Sequence, residues 1–98
     1  MKERCFIIGS LAEYSWKVRM ANMERRVNSK NFQDGRYEAV SPRVLMNGEE
    51  SKLKRYFKLR RAIRSCSAVY ALREFAFDQL ACRLVAFAER KGKTIIYE

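Results

Sequence analysis

The chain contains no histidine. A serine nucleophile therefore lacks the imidazole base that usually takes its proton. A zinc site would have to combine carboxylates with three scattered thiols, so no metal is expected. Cysteine is scarce as well: Cys5, Cys66 and Cys82 are an odd set with no CxxC spacing. All three fall in apolar stretches, which predicts buried, reduced thiols in a cytoplasmic protein rather than a disulfide framework. Glycine occurs four times, never as GxGxxG or GxxxxGK(S/T), so the dinucleotide fingerprint and the P-loop are both absent and no cofactor is implied. Long apolar runs are missing too. Lys2, Glu3 and Arg4 are followed by only four apolar residues before Gly9. That is too short for a secretory signal, and nothing approaches the ~20 apolar residues of a membrane span. Acidic side chains are outnumbered, 11 against 21 basic, which leaves a net charge of +10. Such an excess suits phosphorylated or polyanionic partners, nucleic acid among them, and equally serves as a solvated surface.

What is present is a rhythm of short apolar runs and amphipathic stretches. The 98 residues suffice for one domain spanning 1–98, which can bury roughly 60–65% of its unfolded surface. Residues 5–8 are apolar without alternation, as in a parallel strand covered on both faces. Gly9 permits a tight exit, and either Ser10 (with Glu13 as a capping box) or Ser15 starts a first helix. That helix carries Trp16, Met20, Met23 and Val27 on one stripe. A loop over 28–35 ends in the turn signal Asp34-Gly35, and a second strand follows over 37–41. Pro42, the only proline, ends it, and residues 43–48 read as a connection. Asn47 and Glu50 suit the start of a second helix reaching Ser65, with Leu53, Tyr56, Leu59, Ile63 and Cys66 on its inner side. Residues 68–72 read as a third strand. Phe77, Leu80, Ala81, Leu84, Val85 and Ala88 then form the clearest helical stripe, closed by Gly92, and 94–97 reads as a fourth strand. The pattern predicts an α/β fold: a three-layer sandwich of Rossmann or flavodoxin type, with about four parallel strands in order 2-1-3-4.

In such a sheet a ligand sits where the strands' carboxyl ends diverge. That rule gathers Gly9, Ser10, Ser41, Arg43, Arg73, Glu74 and Asp78 around one crevice. Arg43 and Arg73 suit a phosphate. Glu74 and Asp78 are the candidates for acid–base work, although both positions equally favour helix-start carboxylates. A different signal lies in the second helix. Lys52, Lys54, Arg55, Lys58, Arg60, Arg61 and Arg64 crowd one segment with no acid among them. Lys54, Lys58 and Arg61 on its outer side could contact phosphates of nucleic acid without reading sequence.

Several of these segments resemble the small bacterial and phage proteins related to nucleoside 2-deoxyribosyltransferases. Phe6-Ile7-Ile8-Gly9-Ser10 resembles the opening strand and loop, and Val40-Ser41-Pro42 the signature ending the second strand. Residues 66–72 resemble the third strand, and the last helix with Tyr97-Glu98 also fits, so the resemblance covers essentially the whole chain. It implies a nucleoside-like ligand, and it places the third-strand aspartate at Ser67, which joins the ligand-binding candidates. The departures are chemical. The position implied for the family's nucleophilic glutamate is Leu84, its glycine is Leu80, and its serine before the helix is Asp78. Leucine cannot form a glycosyl-enzyme ester. Either the correspondence is displaced by some residues, or Glu74 or Asp78 substitutes, or transferase activity is lost; the last is the reading adopted.

Three functions follow. The first is a non-enzymatic protein that binds a nucleotide- or nucleoside-like molecule at Gly9, Ser10, Ser41, Arg43, Ser67 and Arg73. The second is a basic nucleic-acid-binding accessory protein that uses the second helix. The third is a residual N-glycosyl hydrolase or transferase that uses Glu74 or Asp78. Phe75 and Phe87 fall outside the main stripe of the last helix, which adds the expectation of a homodimer.

Overall fold

The computed structural model describes residues 2–11, 15–45 and 51–98. Four strands, β1 (Glu3–Ile8), β2 (Tyr37–Val40), β3 (Ala68–Ala71) and β4 (Thr94–Tyr97), form one sheet in the order β2-β1-β3-β4. All three pairings are parallel, with Phe6 opposite both Val40 and Val69, and Tyr70 opposite Ile96. Among the described residues four α-helices accompany them: α1 (Trp16–Asn28), α2 (Pro42–Leu45), α3 (Lys52–Arg64) and α4 (Gln79–Arg90).

The pleat divides the core in two. Phe6 and Ile8 of β1, with Val69 and Ala71 of β3, meet Leu59 and Ile63 of α3 and Leu84, Val85 and Ala88 of α4. The alternate residues Cys5, Ile7, Ala68 and Tyr70 meet Met20 and Val27 of α1. Helices thus cover both faces, which is why β1 and β3 read as uninterrupted apolar runs. Each fully buried aliphatic or aromatic side chain here is worth about 1.5–3 kcal/mol over leaving it in water.

Local chemistry sets the ends. Gly92 adopts φ 70° after α4. Lys93 N donates to the Ala88 carbonyl at 3.0 Å and Gly92 N to that of Glu89 at 3.0 Å, closing the helix as glycine at this position commonly does. Asp78 caps the other end of α4, its Oδ1 accepting from Ala81 N at 2.9 Å. α3 is capped by Ser51, whose hydroxyl accepts from Lys54 N at 3.3 Å. The cap expected at Asn47 lies outside the described residues, as does Glu13 of the expected capping box. α1 begins after Ser15, although that hydroxyl makes no capping bond.

Several expectations change. Pro42 does end β2, and it also opens the short helix α2 where a plain connection was expected; proline suits a first helical position because that N–H is unpaired anyway. Leu53 faces outward at 64% exposure, away from the buried side of α3. Phe77 belongs to a 3-10 turn, Arg73–Phe77, that precedes α4, so it falls off the apolar stripe and is 92% exposed. Phe87 is buried instead. It therefore leaves no uncovered ring on α4 to call for a second copy of the chain. Cys5 and Cys66 are buried, but Cys82 is exposed, its thiol donating to the Phe75 carbonyl at 3.3 Å. Burial, with the neighbouring Cys66, pushes the Cys5 thiol up to about 12, so it stays protonated.

Candidate functional site

The carboxyl ends of β1 and β3 emerge side by side. Leu72 N donates to the Ile8 carbonyl at 2.8 Å, carrying the ladder past both strands, and Glu98 N does the same to Ala71 at 2.9 Å. The crevice required by the strand order is therefore present. Its floor is closed, however. A Cβ on Gly9 would lie 2.8 Å from Leu72 Cδ1 and 3.2 Å from Met20 Cε. The absent side chain lets the α1 face and the β3 exit pack together; it does not open backbone to a ligand. The opening lies one step further out, in two separate hollows.

The first hollow, about 540 Å³, is lined by Arg19, Arg73, Glu74, Phe77 and Glu98. Its charges are matched to one another. Arg19 forks onto Glu74 through Nε and Nη2, both at 2.8 Å, and Nη2 also donates to Glu98. Glu98 Oε1 further accepts from Arg73 N at 2.8 Å. The Arg19 hydrogen bonds hold the Glu74 carboxyl below its ordinary value and raise Arg19 in return. For Glu98 burial works upward, but the bonds from Arg73 N–H and Arg19 outweigh it, so this carboxyl too lies low. A carboxylate held ionised by an arginine fork is a poor proton donor near neutrality, which counts against Glu74 as a general acid.

The second hollow, about 520 Å³, is lined by Leu11, Leu53, Arg55, Tyr56, Asp78, Gln79, Leu80 and Arg83. It lies where the chain leaving β1 meets the start of α4 and the side of α3. Ser10 Oγ donates to Asp78 Oδ2 at 3.1 Å, while Asp78 Oδ1 caps α4. Both Asp78 oxygens are thus occupied, joining the β1 exit to the last helix. The apolar walls come from Leu11, Leu53, Leu80 and the Tyr56 ring, and two arginines supply the charge. This size falls within the ~300–1,000 Å³ common for small-molecule sites.

The remaining candidates disperse. Ser41 and Arg43 are tied to Glu24: Ser41 Oγ donates at 2.7 Å, and Arg43 reaches both carboxylate oxygens at 2.8 and 2.9 Å. The Arg43 fork pulls the Glu24 carboxyl down, burial opposes, and Ser41 adds to the fall. Ser67 precedes β3, with its N–H donating to the Arg4 carbonyl at 3.0 Å. That is the opposite edge of the sheet, about 16 Å from Leu72 at ~3.3 Å per residue, so the structure does not bring it to the crevice. Leu84 is buried among the sheet residues at 3% exposure. Lys54, Lys58 and Arg61 are exposed on the outer side of α3, as the helical spacing predicts. The described residues contain no group of three or more carboxylates and thiols placed to hold a metal ion, and no helix among them is long and apolar enough to cross a membrane.

Arg55, Tyr56, Gln79 and Arg83 were not singled out for this crevice by sequence reasoning. Arg55 is one of seven basic residues on its helix, and Arg83 sits among apolar neighbours; only the packing of α3 beside α4 makes them converge.

A four-stranded parallel sheet in this order, covered on both faces and with a crevice at the exits of its two central strands, defines an open α/β fold of the doubly wound type. Its likeness to a solved structure is specific: the 2-desoxiribosyltransferase from Leishmania mexicana matches with a TM-score of 0.71 at 17% identity. The match covers 97% of this chain and 63% of that one, so the chain spans less than two-thirds of that protein's length. At this identity the likeness establishes the fold. No protein-family model and no curated protein matches the chain.

Proposed function

We propose that the protein binds a nucleotide- or nucleoside-like small molecule in the hollow between the β1 exit, α3 and the start of α4, and that it has no transferase activity. The observation that carries this reading is the hollow itself: concave, apolar-walled and situated where an open α/β sheet takes its ligands. The fold shared with a deoxyribosyltransferase supports the nucleoside-like chemistry. The lack of transfer rests on Leu84, a buried leucine at the position where the resemblance implies a nucleophilic carboxylate. It also rests on Asp78 and Glu74, both held in structural hydrogen bonds.

Calorimetric titration with adenosine, 2′-deoxyadenosine, their 5′-monophosphates and ADP-ribose tests the binding. Saturable binding with Kd below about 1 mM, some 4 kcal/mol, is expected for at least one compound, and silence across the set sinks the reading. Chromatography of the same mixtures should show no free adenine. Release of adenine that disappears in Asp78→Asn or Glu74→Gln would instead establish a residual N-glycosyl hydrolase.

A second reading has its own support. Lys54 and Arg61 point outward from α3 and take part in no ion pair among the described residues. Such a row suits the phosphates of nucleic acid. A mobility shift with duplex or single-stranded oligonucleotides at ~50 mM salt is expected to detect binding, with the salt slope flattening by about one unit for each of Lys54→Gln, Lys58→Gln and Arg61→Gln. No shift at that salt removes this reading.

A further inference from the structure

We infer that the ligand of the α3–α4 hollow is phosphorylated, with its phosphate held between Arg55 and Arg83 and its apolar part against Leu11, Tyr56 and Leu80. The inference deepens the binding function proposed above and rests on it.

The charge balance of the two hollows separates them. In the first, Arg19 and Arg73 face Glu74 and Glu98, and the carboxylates engage the Arg19 guanidinium and the Arg73 N–H. Two basic and two acidic side chains balance there, so this hollow has no net charge to draw an anion. In the second, Arg55 and Arg83 face only Asp78, whose two oxygens are already taken by Ala81 N and Ser10 Oγ. Neither arginine enters an ion pair among the described residues.

One atom points to what is missing. Arg55 Nε is buried and has no hydrogen-bond partner among the described residues; Arg60 Nε shares that state, but its guanidinium lies over the Phe87 ring and lines neither hollow. A buried donor left unmade costs about 1–3 kcal/mol, more for a charged group. An acceptor in the hollow restores that bond once the Arg55 side chain, which lines it, turns its Nε toward the ligand. A guanidinium presents its donors as a planar fork, and the oxygens of a phosphate match it in pairs. Two such groups from separate helices, at the edge of an apolar pocket, form a clamp for a compact dianion attached to a flat or apolar body. The Tyr56 side chain lines the hollow beside that body. A neutral nucleoside would fill the walls but leave Arg55 Nε as it stands.

The test compares 2′-deoxyadenosine and adenosine with their 5′-monophosphates, titrated calorimetrically into the full chain at 150 mM salt. The monophosphates are expected to bind at least tenfold more tightly. Arg55→Gln and Arg83→Gln should each weaken monophosphate binding by about ten- to a hundredfold, the range of a charge-assisted hydrogen bond, and change nucleoside binding by less than about threefold. Arg83→Lys, which keeps the charge and loses the fork, should fall between. Arg36→Gln, at the far end of β2, serves as the bulk-charge control. Equal affinity for nucleoside and monophosphate overturns the inference and leaves the binding function standing. Silence from all four compounds removes both. A monophosphate preference that survives both arginine substitutions, or falls as far in Arg36→Gln, assigns it to net charge and overturns the clamp. Circular dichroism of each variant confirms folding, and the wild-type comparison needs no variant at all.

Discussion

Phe87→Ala is expected to lower the stability of the protein by about 3–4 kcal/mol, and its melting temperature by about 15–25 °C for a chain of this length. The ring is 1% exposed and packs in the cluster formed by β1, β3, α3 and α4. Alanine leaves a cavity the size of a phenyl group, and neighbours anchored on two helices and a sheet close it only in part. A second term is electrostatic. The Arg60 guanidinium lies 4.4 Å from the ring centroid, Arg64 5.6 Å and the Lys91 ammonium 5.8 Å. Three like charges gathered at one spot repel, and the negative face of the ring is what offsets that repulsion. Phe87→Leu separates the two terms, because it keeps most of the burial and removes the π-face. It should lose only about 1–2 kcal/mol. Its melting temperature should also climb more steeply with added salt than that of the wild type, since salt screens the uncovered repulsion. Urea denaturation of the three proteins at low and high salt decides the matter. A loss below about 1 kcal/mol in Phe87→Ala would mean that the ring is not a keystone of this core. Against a typical total of about 5–15 kcal/mol, the expected loss is a large share of the whole.

The central strands were legible in the sequence because they are buried on both faces. Residues 5–8 and 68–71 carry no charged side chain, and such an apolar run marks a parallel strand covered on both faces. The order of strands followed from connection rules, and the observed 2-1-3-4 arrangement agrees. Helix ends were harder. Ser10, Ser15, Asn47 and Ser51 all have capping chemistry, and nothing local tells a serine that caps a helix from one that bonds a distant carboxylate, as Ser10 does with Asp78. Phe77 and Phe87 show the same limit in another form. A stripe drawn through Phe77 assumed that α4 starts one turn earlier; the 3-10 turn shifts the phase, exposing Phe77, and Phe87 lies in the core. The region of the crevice is legible because strand order determines where the central strands' exits diverge. Its lining is not, because Arg55 and Arg83 lie 28 positions apart on two helices whose mutual packing no periodicity encodes. Arg43 illustrates the converse: it has the right residue type near the right edge, yet its fork closes on Glu24, which sits on α1.

Arg19→Met should reverse the direction in which acid acts on this protein. In the wild type the Glu74 and Glu98 carboxyls both lie below their ordinary value. A carboxyl depressed by folding stabilises the native state above its unfolded pKa, and that contribution is lost as the pH falls through the depressed native value. The wild type therefore loses stability on acidification below about pH 4.5, the ordinary value for glutamate in solution. Replacing Arg19 removes the cation that forks onto both carboxylates and leaves them partly buried beside one another, with Arg73 the remaining cation of the hollow. Repulsion and burial then both favour the protonated forms against what remains, the Arg73 N–H bond to Glu98 and the Arg73 charge beside Glu74, and the native values are expected to rise above the unfolded ones. Protonation now relieves the native state, and stability climbs as the pH drops from about 7 toward 4. Breaking a fully buried ion pair costs about 3–5 kcal/mol. The Arg19 side chain is 35% exposed, and solvent screening of that order brings the expectation at neutral pH to about 1–2 kcal/mol. Thermal melts of wild type and Arg19→Met from pH 7 to pH 4 should converge as the pH falls, and Glu74→Gln in the Arg19→Met background should recover much of the loss at pH 7 by removing one of the two charges. Curves that stay parallel across this range would show that the three side chains do not titrate as a coupled group. The packing of α1 against the exits of β3 and β4 would then have to be explained by its apolar contacts alone.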